Sequence, residues 1–133
     1  IGEASVEEID NINILQASML AMSRAINSFP NKYSEKALVI IDGNNQPKIK
    51  KFNLKTIIKG DEKSLSIAAA SIIAKIHRDK IMKKLSKIFP KYGWESNMGY
   101  GTAKHIDALK SIGISKYHRK SFRPIKALIH NNY

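Results

Sequence analysis

ALVIIDGNNQP, residues 37–47, is the stretch on which the fold turns. Ala37 to Ile41 are five apolar residues, mostly β-branched and without alternation, which predicts a strand covered on both faces. The run stops at Asp42-Gly43, and Asn44, Asn45 and Pro47 read as a loop. Downstream, NLKTIIKGD (53–61) reads as a second short strand ending at Lys59-Gly60.

Helical patterns surround this pair. Over residues 6–28, Ile9, Ile12, Leu15, Met19, Met22 and Ile26 recur at spacings of three and four, an amphipathic stripe. Ser5 with Glu8 three residues later forms a capping box, and Pro30 forbids continuation. A long helix is predicted from about Lys63 to Ile88, closed by Pro90. The glycine-punctuated loop KYGWESNMGYG (91–101) leads to a short helix near 103–112, with Thr102 as N-cap and Gly113 as stop. The basic tail ISKYHRKSFRPIKALIHNNY adds a helical turn or two after Pro124. The order is that of an α/β chain. Two strands make a poor sheet, however, and the run at 38–41 needs neighbours on both sides, so the expectation is a chain incomplete at its front. The absence of an initiator methionine points the same way, to a processed chain or a partial one.

At 133 residues the chain fits one domain with a real core. It has no cysteine, which excludes disulfides and thiolate metal sites and suggests a reducing, cytoplasmic setting. No apolar run approaches the roughly 18–20 residues of a membrane span, and the acidic start IGEASVEEID lacks the layout of a signal peptide. The net charge of +12 is unevenly distributed. Residues 1–47 carry three Lys/Arg against six Asp/Glu, whereas residues 48–133 carry twenty against five. Such a field suits a polyanion, nucleic acid above all; a surface kept soluble by lysine is the alternative.

Two acids stand out against this charge. In SIAAASIIAKIHRDK (66–80), Asp79 lies on the same helix face as Leu65, Ala68, Ile72 and Ile76, so it is expected to face the protein. Buried charge needs a partner. An ion pair with Lys75, at i−4, and a functional acid both satisfy that need. Asp42 sits past the carboxyl end of a predicted strand, where α/β sheets place ligands, although Asp-Gly after a strand is also a common turn. Together the two acids suit hard divalent ions such as Mg²⁺, though a pair of ions about 4 Å apart ordinarily needs three or four carboxylates. Tyr100, between Gly99 and Gly101, could stack on a sugar or base, or simply belong to a core. HRKSFRP (118–124) places four donors around Phe122 and suits phosphate, or else is a solvated tail anchored by that phenylalanine. Trp94 and Phe89 are assigned to the core, and His77, His105 and His130 have no metal-ligand spacing.

Taken as an ordered set, IDGN (41–44), KGD (59–61), SIAAASIIAKIHRD (66–79), GYGT (99–102) and HRKSF (118–122) resemble bacterial-type ribonuclease HII, with NILQASMLAM (13–22) extending the likeness. The resemblance implies an RNase H-like fold, a five-stranded mixed sheet with helices, about residues 1–90 here, and a C-terminal helical substrate-binding region, about 91–133. It implies cleavage at ribonucleotides in DNA and in RNA–DNA hybrids, using four acids and Mg²⁺ or Mn²⁺, by a protein that is monomeric when complete and needs no membrane. Asp42 and Asp79 match the third and fourth acids. Tyr100 matches the tyrosine that stacks on the sugar following the ribonucleotide. Lys59, His118 and Arg119 match positions near the site or nucleic-acid path.

Some features depart from the family pattern. Its Asp-Glu pair and Gly-Arg-Gly loop are absent, which implies three missing strands, two missing acids and an isolated chain without cleavage activity. Met98 stands where a basic residue is usual, and Lys120 where an arginine is, keeping charge but losing forked geometry. The alternatives are a non-catalytic basic nucleic-acid-binding module and the sister ribonuclease HIII.

Overall fold

A computed structural model describes residues 1–33 and 36–130 of the chain; the end of the tail, residues 131–133, lies outside them. The chain divides into two compact units, Ile1–Ala74 and Lys75–Tyr133.

The first unit opens with α1 (Val6–Asn27). Its start is fixed by the expected capping box: the Ser5 hydroxyl accepts the Glu8 N–H at 3.2 Å, and the Glu8 carboxylate accepts the Ser5 N–H at 2.8 Å. Glu8 also takes a forked ion pair from Arg24, at 2.6 and 2.8 Å, and Arg24 donates to the Glu3 carbonyl at 2.6 Å. One helix was expected here, but Asn13 breaks it, with φ 67° and ψ 166°. Asn13 recaps the chain itself, its Oδ1 accepting the Gln16 N–H at 3.1 Å. The stripe is consequently split. Ala17 is buried, whereas Ile12 and Leu15 are exposed and line an open groove of about 490 Å³ with Asn45–Lys48.

β1 (Leu38–Asp42) and β2 (Asn53–Ile57) pair in parallel, Leu38 opposite Asn53 and Asp42 opposite Ile57. Among the described residues this is the whole sheet. The predicted cover on both faces of β1 is therefore not found: Ile41 is buried, but Leu38 is 58% exposed. The core of this unit is small, built from Ala17, Ile41, Phe52 and Ile67, with Phe29 edge-on to Phe52 at 6.4 Å.

The helix predicted from Lys63 is two. A single turn, α2 (Gly60–Lys63), ends at Ser64 in extended backbone, and α3 (Leu65–Ile88) follows, the division between units falling within it. The face of α3 expected to be covered is open at Leu65, Ile72 and Ile76.

In the second unit the loop expected at 91–101 contains a 3-10 turn (Pro90–Tyr92) and a helical turn, α4 (Trp94–Asn97). Gly93, in left-handed backbone at φ 64°, separates them. α5 (Ala103–Ile112) has the expected ends: the Thr102 hydroxyl accepts the His105 N–H at 3.3 Å, and Gly113 ends it at φ 77°. α6 (Arg123–His130) starts just before Pro124 rather than after it. These elements enclose Tyr92, Trp94, Leu109 and Ile125, with Phe89 and Met82 packed against them. Trp94 and Phe89 thus lie where the sequence placed them.

The Arg24 guanidinium and the Ser5 amide together hold the Glu8 carboxyl at about 2, below its ordinary 4.5. A carboxylate with a depressed folded pKa stabilises above the unfolded value and loses that contribution as pH falls through the folded one. Circular dichroism of the chain should therefore show the melting temperature dropping between pH 4.5 and about 2. Glu8→Gln should flatten that segment of the profile and lower the plateau above it.

Candidate functional site

In the first unit, parallel pairing brings Asp42 and the chain after β2 to one end of the sheet. The ladder continues one residue further, with the Gly43 N–H donating to the Ile57 carbonyl at 2.9 Å. Lys59 then turns the backbone through the left-handed region (φ 55°, ψ 48°), and Gly60 opens α2. The Gly60 N–H donates to Asp42 Oδ1 at 2.7 Å. Closeness rather than conformation favours glycine here. A Cβ on Gly60 would stand 2.5 Å from Ile67 Cδ1 and 3.3 Å from Asp42 Oδ1. The carboxylate is thus fixed by one oxygen while the residue remains exposed. The Lys59 ammonium points to Glu62, 3.7 Å away at the surface. Two predicted site residues, Asp42 and Lys59, accordingly share one strand-end turn.

The second unit gathers Asp79 and Tyr100. Asp79 is half-buried on α3, and its Oδ2 accepts from Lys75 Nζ at 2.5 Å. The ion pair that the spacing allowed is therefore formed, and the carboxylate raises the Lys75 ammonium above its ordinary range. Tyr100 stands 67% exposed on its glycine-flanked loop, with the Arg78 guanidinium 5.7 Å from its ring centroid. Arg78, immediately before Asp79 in sequence, joins these two positions, and sequence reasoning gave it no role. This unit also holds most of the positive charge, fourteen Lys/Arg against three Asp/Glu.

His118 and Arg119 part company. The Arg119 guanidinium lies 5.0 Å from the Phe122 ring, which is itself exposed rather than the buried anchor expected of the basic tail. His118, expected along the nucleic-acid path, is instead buried. Its ring lies 4.7 Å from Tyr92, 5.1 Å from Trp94, and stacked 5.4 Å from His105. Nδ1 accepts the Ser115 N–H at 3.0 Å, so the neutral ring carries its proton on Nε2, which is buried without a hydrogen-bond partner. His105 is buried too, and its Nδ1 donates to the Tyr92 carbonyl at 3.0 Å. The same carbonyl accepts from buried Asn97 Nδ2 at 2.8 Å. His105 and Asn97 are therefore framework, which their polar character did not reveal; only their proximity to Trp94 and the GYG turn hinted at it.

Asp42 and Asp79 offer hard oxygen donors, which suit Mg²⁺ or Mn²⁺ in type. Their number is the shortfall. Among the described residues no group of three or more His, Asp or Glu side chains gathers to hold an ion. None of the described helices is long and apolar enough to cross a membrane.

Burial, and then the neighbouring His105, lower His118 to about 4 from the usual 6.5. The unfolded chain takes up this proton first, so stability falls as pH drops from 6.5 towards about 4. Trp94, the single tryptophan, sits against the ring and reports the change. The urea midpoint followed by its fluorescence should drop across that window. His118→Phe should remove the slope while leaving the rest of the profile in place.

Comparison with known proteins bears on this geometry. The family described as Ribonuclease HII matches residues 2–125. Among curated relatives, a Ribonuclease HII of Pelagibacter ubique (strain HTCC1062) is 57% identical over 129 residues, 97% of this chain and 68% of that protein. That of Jannaschia sp. (strain CCS1) is 49% identical over 129 residues, 97% of this chain and 63% of the relative. That of Wolbachia sp. subsp. Brugia malayi (strain TRS) is 50% identical over 125 residues, 94% of this chain and 60% of the relative. The chain thus spans roughly two thirds or less of the length of these proteins.

Proposed function

The chain belongs to the ribonuclease HII family, and from that premise we propose that it supplies part of an endoribonuclease site that hydrolyses phosphodiesters at ribonucleotides embedded in DNA and in RNA–DNA hybrids. The observation that carries the reading is Asp42: an exposed carboxylate at the carboxyl end of a parallel strand, held by one oxygen against the Gly60 amide. A side chain so fixed presents its second oxygen without an ordering cost. In this reading Asp42 and Asp79 each supply an acidic ligand, Tyr100 stacks on the sugar beyond the ribonucleotide, and Lys59 and Arg119 contact phosphate. His118 places Arg119 from within the core. The complete fold is RNase H-like, with residues 91–133 as the helical substrate-binding region, and the protein works as a cytoplasmic monomer.

Bound Mg²⁺ or Mn²⁺ supplies the electrophilic stabilisation and the water activation that phosphodiester hydrolysis requires. The residues of this chain hold the charge and orient the substrate, and the products carry a 5′-phosphate and a 3′-hydroxyl. Two carboxylates balance only half the charge of an ion pair, so the 133-residue chain alone is read as inactive. In the rival reading, a non-catalytic basic module, Asp79 is simply the partner of Lys75, which their 2.5 Å contact supports. The readings differ at Asp42, for which no such cation stands among the described residues.

A duplex containing one ribonucleotide, incubated with Mn²⁺, separates them. The 133-residue chain should leave it intact. A chimera that adds the portion of the Pelagibacter ubique relative not covered by this chain should nick it. Asp42→Asn or Asp79→Asn in the chimera should then lower the rate by at least about a hundredfold. Nicking by the chain alone, or variants as active as their parent, would overturn the reading.

A further inference from the structure

We propose that Arg78 and Asn97 are positioning residues that hold Tyr100 in its outward pose, so that its ring meets nucleic acid already ordered. The proposal rests on the reading of Tyr100 as a stacking residue given above.

The turn that carries Tyr100 does not hold itself. Met98 (φ 48°) and Gly99 (φ 79°) are consecutive left-handed residues. Glycine adopts that backbone freely, but methionine does so only where its surroundings impose it. Two side chains do so here. The first is Asn97, buried at the end of α4. Its Oδ1 accepts the Gly99 N–H at 2.8 Å, and its main-chain carbonyl accepts the Tyr100 N–H at 2.8 Å. Its Nδ2 donates inward to the Tyr92 carbonyl at 2.8 Å, which fastens the turn to the aromatic core. The two side-chain contacts together need an uncharged amide, with donor and acceptor on one side chain.

The second is Arg78. Its Nη2 donates to the Met98 carbonyl at 3.2 Å, while the guanidinium carbon lies over the Tyr100 ring, 5.7 Å from the centroid. A planar fork can bond a carbonyl and attract an aromatic face at once in a fixed geometry, which the flexible stem of a lysine does not set. Each peptide from Met98 to Tyr100 therefore has a defined partner, since the Met98 N–H also donates to the Trp94 carbonyl at 3.1 Å. Arg78 precedes Asp79 on α3, so the brace ties the tyrosine turn to the helix that carries the candidate acid. A ring fixed before binding loses less freedom on contact, and preorganisation of this kind adds affinity without adding a contact.

Backbone ¹⁵N order parameters test the brace without any nucleic acid. In the 133-residue chain residues 99–101 should be rigid, near about 0.85, and Arg78→Ala should bring them below about 0.6. Arg78→Lys should fall between, and unchanged values in Arg78→Ala overturn the brace. Asn97→Ala should act alike; Arg78 is exposed, so its variant decides the matter even if the Asn97 variant fails to fold. The consequence for binding is read as the affinity ratio between a duplex with one ribonucleotide and its all-DNA counterpart, by fluorescence anisotropy. Arg78→Ala should reduce that ratio by about three- to tenfold, and should have no effect on it in a Tyr100→Ala background. An effect that persists without Tyr100 overturns the positioning role, because a merely structural contribution would persist. A Tyr100→Ala chain with an unaltered ratio overturns the stacking reading instead, and the order parameters alone then judge the brace.

Discussion

Parallel pairing of β1 with β2 across only ten residues is the constraint on which the first unit depends. Parallel strands usually return through a helix, because the chain must travel back the full length of the first strand. Here that length is five residues, about 17 Å, which ten irregular residues can cover. The short return puts Asp42 and Ile57 at the same end of the sheet. Lys59 and Gly60 follow within three residues, so the Gly60 amide reaches the Asp42 carboxylate as a direct result of register. An antiparallel hairpin of the same strands would have placed them at opposite ends.

The second unit is organised differently, around polar groups enclosed by aromatic rings. The Tyr92 carbonyl uses both lone pairs, one on Asn97 and one on His105. Leaving a buried partner unsatisfied costs about 1–3 kcal/mol, so these bonds fix geometry more than they add net stability. The Nε2 proton of His118 is the exception, left without a partner in the same cluster. That is tolerable only while the ring stays neutral, which is why the charge of this unit stays outside its core.

What could be read from the sequence was whatever depends on neighbours a few positions apart. Ser5 with Glu8, and Thr102 with Gly113, declare helix ends through bonds spanning three or four residues. The apolar run at 38–41 declared a strand, but not its cover, since cover depends on what packs against it. Asn13 stayed hidden because asparagine inside a stripe reads as a tolerated polar residue until its side chain recaps the helix. Asp42 and Gly60 are 18 positions apart, and Arg78 and Met98 are 20; no local pattern couples them. The inward turn of His118 stayed hidden for a related reason. In HRKSF the composition announces a basic surface, but not which residue of the five turns inward.

The contact between Lys75 and Asp79 shows how magnitude bears on meaning. Taken alone it favours a structural role for the acid, as the spacing had allowed. Yet Lys75 is 72% exposed along its side chain, and an exposed pair at i,i+4 is screened by solvent and held loosely against side-chain entropy. An arrangement so weak cannot be the reason a carboxylate sits half-buried on the most basic part of the chain. Under the proposed function, the lysine neutralises an acid that a divalent cation would otherwise take up. Lysine suits that place, being a flexible point charge that leaves without dismantling a forked network, as departure of the Arg24 guanidinium from Glu8 would. The two ion pairs therefore differ in kind: the one at Glu8 fastens a helix start to the chain around it, and the one at Asp79, under the proposed function, would yield to a competing cation.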